Sequence, residues 1–152
     1  MRVIKLILLS GIVFFGLLFA ISLLIPSHVR ISRAIDLQTN RSAIMPLIST
    51  EAGWTKWNAY AKMADGKAGF RIESVSDSLV LGKWTHGGRT ISNGLALYEI
   101  KSGTLTVQLY MDFFLDWYPW DKFGSILYDS QLGPAMEESL RELKALAAAH
   151  SS

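Results

Sequence analysis

The chain has 152 residues, half of them hydrophobic, with 15 basic and 13 acidic side chains and no cysteine. That length suits one domain with an appendage, and the missing cysteines exclude disulfides, thiolate metal sites, a cysteine nucleophile and lipid attachment through a cysteine. Setting Arg2 and Lys5 aside leaves a formally neutral remainder, which excludes nucleic acid as a partner because that binding rests on neutralising phosphates.

The hydrophobic excess is concentrated at the N-terminus. Leu6 to Ile25 reads LILLSGIVFFGLLFAISLLI, 20 residues without a charge. At about 1.5 Å of rise per residue such a helix spans roughly 30 Å, the hydrocarbon thickness of a bilayer. A cleaved secretory signal has a shorter apolar region, about 7–15 residues, and ends in a small-x-small cleavage site. Leu23-Leu24-Ile25-Pro26 offers none. The expectation is an uncleaved, single-pass anchor over residues 1–26, in the membrane through residues 4–25, with a domain over residues 27–149. Gly16 and Ala20 form a small-xxx-small pair of a kind common in membrane helices. Arg2 and Lys5 flank one end of the run, Arg30 and Arg33 the other, so charge alone gives little preference of orientation. The short tail before the span favours the N-terminus inside and the domain outside the cytoplasm.

Pro26-Ser27 ends the anchor, and His28 to Leu37 then alternates. Val29, Ile31, Ile35 and Leu37 share one face with Arg33, which predicts a half-buried strand beginning almost without a linker. Thr39 or Asn40 is placed to cap a helix from Arg41, which Pro46 limits or kinks. In Glu51 to Tyr60, Trp54 and Trp57 lie three apart, so a short helix puts both rings on one face. Asp65-Gly66 and Ala68-Gly69 mark a loop. Strands are predicted over Phe70–Val75, Leu79–Thr85, Thr90–Ile100 and Thr104–Phe114, with turns at His86-Gly87-Gly88 and Ser102-Gly103. The last is the clearest, with Leu105, Val107, Leu109, Met111 and Phe113 on one face and Thr106, Gln108, Tyr110 and Asp112 on the other. Short turns between these runs imply an antiparallel meander.

Then comes WYPWDKFG, Trp117 to Gly124, three rings around a proline. It could form a ligand mouth, a membrane-surface contact, or a hinge whose rings clamp the next helix against the sheet. Pro119 favours the hinge, since it cannot donate to a ladder and suits the start of a helix. From Phe123 a helical period runs through Met136, Leu140, Leu143 and Ala147. Gly133-Pro134 is expected to kink or divide that helix, and the alanine-rich tail after Leu146 to fray. The order of elements predicts an α+β domain whose last helix covers the sheet.

Three stretches carry a family resemblance. LLIPSHVRISRAIDL resembles an apolar segment that ends in a proline-small pair and runs into a strand. WTKWNAY resembles a two-tryptophan segment after a first helix. YPWDKFG with LYDSQLGPAMEESLRELKAL resembles a strand-to-helix junction and closing helix. Together they resemble the N-terminally membrane-anchored branch of the SRPBCC (START-like, polyketide cyclase/dehydrase-type) superfamily over the whole chain. The resemblance implies a helix-grip fold, a curved antiparallel sheet wrapped around a long C-terminal helix and preceded by one transmembrane helix. It also implies a tendency to hold a hydrophobic small molecule or lipid. It implies no reaction, because such members include binders, transporters and a few cyclases.

On that fold the expected cavity wall is Trp54, Trp57, Trp84, Leu109, Met111, Phe113, Trp120, Phe123 and Leu127, with Tyr110 and Trp117 as further rings. His28, His86 and His150 lack the spacing of metal ligands, so neither a metal nor a cofactor is expected. Asp112, Asp116, Asp121 and Asp129 crowd the hinge, with Lys122 and Arg71 available as ordinary ion-pair partners. Asp112 and His86 are the catalytic candidates, both weighed as structural first. The expectation is a hydrophobic-ligand binder without catalysis. The alternatives are a cyclase or dehydratase using Asp112, Tyr110 or His86, and an envelope interaction module presenting Trp117 and Trp120.

Overall fold

Alternation of apolar and polar side chains sets the central strand. In β5 (Thr104–Phe114) Leu105, Val107, Leu109 and Met111 are buried, and successive residues of a strand point to opposite faces. The long antiparallel register with β1 (His28–Leu37) runs from His28 opposite Phe114 to Leu37 opposite Leu105. β2 (Gly69–Val75), β3 (Leu79–His86) and β4 (Arg89–Lys101) complete a curved, wholly antiparallel sheet in the order β1-β5-β4-β3-β2. This computed structural model describes residues 2–63, 69–86, 89–101 and 103–150. The loop expected around Asp65-Gly66 and the turn residues Gly87, Gly88 and Ser102 lie outside the described residues.

α1 (Arg2–Ser22) is apolar and exposed over nearly its whole length. Among the described residues it is the one helix long and apolar enough to cross a membrane, a property it shares with signal sequences. After β1, Asn40 caps α2 (Arg41–Ile48) by accepting from the Ala43 amide, and Thr50 caps α3 (Glu51–Trp57) by accepting from Gly53. Pro46 sits inside α2 without ending it. A third short helix, α4 (Ala59–Met63), adds to the two expected. Asn58 caps it through Oδ1, which accepts from the amides of Tyr60 and Ala61.

Two helices follow the sheet, α5 (Pro119–Ser125) and α6 (Tyr128–His150). The break between them falls at Ile126-Leu127, and Gly133-Pro134 lies within an undivided α6. The reason is an ion-pair brace. Arg33, the one cation on the inner face of β1, holds Asp129 through both its terminal nitrogens and Glu137 through Nε at 3.0 Å. These carboxylates bracket the proline by about a turn on each side, so the contacts span the site where one helical hydrogen bond is lost. Gly133 makes room for this, because a Cβ there would meet the Arg33 guanidinium. The alanine-rich tail also stays helical to His150, with Ala147 buried in the core.

Met136, Leu140, Leu143 and Ala147 of α6 pack on the inner face of the sheet together with the α2–α3 pair. Trp54 and Trp57 are wholly buried there, and their indole N–H groups donate to the carbonyls of Ile48 and Leu47. Burying such a ring is worth about 3 kcal/mol, provided its N–H finds a partner. Ser139, also wholly buried, accepts from the Ala59 amide and ties α4 to α6.

Candidate functional site

The apolar inner face of the sheet is not equally covered along its length. At the end farther from α1, Leu37, Leu97, Leu105, Leu143 and Ala147 are fully buried, with Ile35 and Leu146 partly so. At the end next to α1 the inward side chains Val29, Ile91 and Phe113, with Tyr128 and Leu132 of α6, are only partly buried. Val29 and Phe113 are register partners, and Ile91 precedes the Ser92–Asp112 pair on the neighbouring strand. The Phe113 and Tyr128 rings meet at 4.9 Å. These side chains form a partly exposed apolar rim between sheet and α6, close to where α1 joins β1.

Behind this rim the wall is aromatic. Phe70 packs between Trp84 and Trp54, with ring centroids 4.5 and 4.7 Å away. One polar side chain is built into it. Asn93, 1% exposed, donates to the Gly82 carbonyl at 2.8 Å and accepts from Trp84 Nε1 at 3.0 Å, in the amide orientation that satisfies both. On α4, Tyr60 donates to the Leu132 carbonyl, and burial pushes its hydroxyl up to about 12. Both groups are satisfied by the protein itself, so the wall presents little polarity.

Of the residues expected to line a cavity, Trp54, Trp57, Trp84, Leu109 and Met111 are in the buried core, and Phe113 and Phe123 are half-buried. Trp120 and Leu127 are exposed and stand outside it, as does Trp117. Tyr110 belongs to the other face of the sheet by strand alternation. Asn93, Ser139 and Tyr60 were not singled out from sequence. An asparagine opposite a glycine in adjoining strands was the one available signal, and it becomes visible only when the register is known.

Asp112 also lies on the face opposite α6. Its carboxylate receives two bonds from Arg30, Nε to Oδ1 and Nη2 to Oδ2, both 2.7 Å, and one from His28 Nε2 at 3.0 Å. Arg30, rather than Lys122 or Arg71, is thus its partner, because the β1–β5 register sets the two directly opposite. The Arg30 hydrogen bond holds the carboxyl below its ordinary range, against the opposing effect of burial, with the His28 bond adding to the lowering. The guanidinium covers the Tyr110 ring at 4.2 Å, and that ring occupies the space a side chain at Gly94 would need. The side chain of His86 lies outside the described residues. Among the described residues no three His, Asp or Glu converge as a metal site.

The WYPWDKFG segment does form a strand-to-helix hinge, with Pro119 in the first turn of α5. Its rings do not clamp α5 against the sheet. Trp117 meets Phe19 of α1 edge-on at 6.2 Å, and Tyr118 stacks on Trp120 at 5.2 Å. Lys122 is buried and its ammonium donates to the Ile25 carbonyl and to Ser27 Oγ. The hinge therefore packs on the end of the apolar helix, and this pulls Trp120 and Leu127 away from the interior.

No family model matches the sequence, and no curated protein matches it. Solved structures do. A protein of unknown function from Staphylococcus aureus aligns with a TM-score of 0.58 at 8% identity, covering 82% of this chain and 96% of that one. The di-domain ARO/CYC StfQ from the steffimycin biosynthetic pathway gives 0.58 at 7% identity, over 82% of this chain. This chain spans about half the length of StfQ, 52%. DynU16, from the dynemicin biosynthetic locus, gives 0.51 at 12% identity over 79% of this chain.

The chain has the helix-grip fold. Its α+β architecture, with a five-stranded antiparallel sheet and a long C-terminal helix, matches these neighbours. At such low identities the likeness is one of fold, which hosts many activities.

Proposed function

We propose that this chain is a START-like domain of the SRPBCC type, tethered to a membrane by α1, that holds a hydrophobic small molecule or lipid between its sheet and α6. The observation that carries this reading is the cluster of partly buried apolar side chains between sheet and α6. Val29, Ile91, Phe113, Tyr128 and Leu132 are only partly buried there, beside α1. An acyl or polycyclic ligand entering there meets Phe113, Tyr128 and Ile91 first, then Trp84 and Met111. Each methylene removed from water contributes about 0.8 kcal/mol. Asn93 and Tyr60 are already hydrogen-bonded, so an apolar guest strands no polar group. The tether raises the local concentration of ligands that partition into bilayers. In this reading the N-terminus is cytoplasmic and the domain lies on the opposite side.

Binding without chemistry is favoured over the cyclase alternative. Asp112 and Tyr110 lie on the outer face of the sheet, and Asp112 is locked by Arg30. Acid–base work needs groups within hydrogen-bond reach of the substrate, and the inner wall offers satisfied ones.

The test is photolabelling of the full chain in vesicles with a diazirine-bearing fatty acid, followed by peptide mapping. Adducts on the peptides carrying Ile91, Phe113 and Tyr128 are expected. Adducts confined to α1 and the Trp117–Trp120 segment would refute interior binding and leave only bilayer contact.

A further inference from the structure

The aromatic hinge has a surface that the interior does not use. Trp117 is 66% and Trp120 64% exposed, and Leu23 and Leu24, at the end of α1, are 68% and 83% exposed. Phe114, Ile126 and Leu127, which flank α5, are also exposed. Bulky apolar side chains displayed together in this way mark a contact surface.

The hinge is fixed to α1 rather than loosely near it. Besides the Trp117–Phe19 ring contact, Lys122 bridges α5 to Ile25 and Ser27, and the Leu115 amide donates to the Ser27 carbonyl at 2.8 Å. Phe19 lies three residues before the end of α1 at Ser22, roughly 4.5 Å along the helix axis. Trp117 is therefore level with the last turns of α1. Indole and phenol rings are enriched at that depth in membrane proteins, because they have an apolar body and a hydrogen-bonding edge.

We propose that α5 and its flanking rings form a second membrane contact, seated in the interfacial layer of the leaflet that α1 leaves. This deepens the functional reading above and rests on α1 spanning a bilayer. The occupant is lipid rather than a protein partner because the exposed apolar surface is continuous with α1, through Leu23, Leu24 and the Phe19–Trp117 contact. The one lysine of α5 points inward to the Ile25 carbonyl. The contact is thus apolar and interfacial, and needs no anionic headgroup. Two attachments stop the domain swinging about the short Leu23–Ser27 joint. They also hold the half-open rim of Val29, Ile91 and Phe113 on the membrane side, where an apolar ligand leaves the bilayer.

The experiment uses the full chain in phosphatidylcholine vesicles whose acyl chains carry bromine either near the headgroup or near the terminal methyl. Trp54, Trp57 and Trp84 are buried, so lipid quenching of tryptophan emission reports Trp117 and Trp120. Stronger quenching by the shallow bromines is expected, with that quenching lost in the Trp117→Phe, Trp120→Phe double variant. A chain that floats with the vesicles yet is quenched by neither lipid overturns the second contact while leaving the anchor intact. Cross-linking into dimers through the Trp117–Trp120 segment, without quenching, also overturns it, in favour of a second copy of the chain. A chain that fails to float overturns both the anchor and this contact.

Discussion

The ammonium of Lys122 lies 2.9 Å from the carbonyl oxygen of Ile25, at the end of the apolar helix, and 2.6 Å from Ser27 Oγ. A buried cation is costly unless its donors are used. Here they satisfy a backbone carbonyl freed where the helix stops. This one side chain ties α5 to the joint between α1 and β1, and so helps set how the domain stands relative to α1.

Replacing Lys122 with Met keeps much of the volume and removes both bonds. The Ile25 carbonyl then loses its partner, and we expect a loss of about 1–3 kcal/mol. Urea unfolding of the detergent-solubilised chain measures it. An unchanged midpoint would show that water replaces the ammonium without loss.

Gly94→Ala is expected to destabilise although alanine suits a strand better than glycine. The added methyl meets the Tyr110 ring, which is covered in turn by Arg30. Overpacking of this kind costs roughly 1–3 kcal/mol. A Gly94→Ala, Tyr110→Ala double variant should lose less than the sum of the two single losses, because the clash disappears with the ring.

Acid should weaken the outer face. Asp112 is held below its ordinary range, so its contribution is full above the unfolded carboxylate value, about 3.9, and is lost as pH falls through the lower folded value. Stability measured against pH should therefore drop on going below about pH 4, and Asp112→Asn should flatten that limb. Arg30 is 52% exposed and regains water when its partner is neutralised. The loss at neutral pH is accordingly expected near 1 kcal/mol, well below that of a wholly buried pair.

At the rim, Ile91→Trp should narrow the entrance. Fatty-acid photolabelling of the Phe113 and Tyr128 peptides should fall by about tenfold, equivalent to about 1.4 kcal/mol of weakened binding, with labelling of α1 unchanged. Equal labelling in the variant would place the entrance elsewhere.

Features that depend on near neighbours were legible from the residue order. The apolar helix follows from a run of uncharged residues, β1 and β5 from their alternation, and the start of α2 from Asn40 or its neighbour. Pro119 marked the start of α5 for the same reason, since its missing N–H and fixed φ act locally. The α+β layout followed from these pieces in sequence.

What only the tertiary structure decided are pairings across the chain. Arg30 and Asp112 are 82 residues apart, Arg33 and Asp129 96, and Lys122 and Ile25 97. No periodicity encodes which of several cations meets a given carboxylate; strand register and helix placement choose it. Gly133-Pro134 looks like a break when taken alone, and is part of a continuous helix once Arg33 braces it from β1. Trp117 and Trp120 have the composition of core residues. They are exposed because Lys122 draws α5 onto the end of α1 rather than onto the sheet. The half-open rim likewise depends on where α6 crosses the strands, a distance that no local pattern contains. Local chemistry determined the elements, and long-range packing determined which faces of them remain to act.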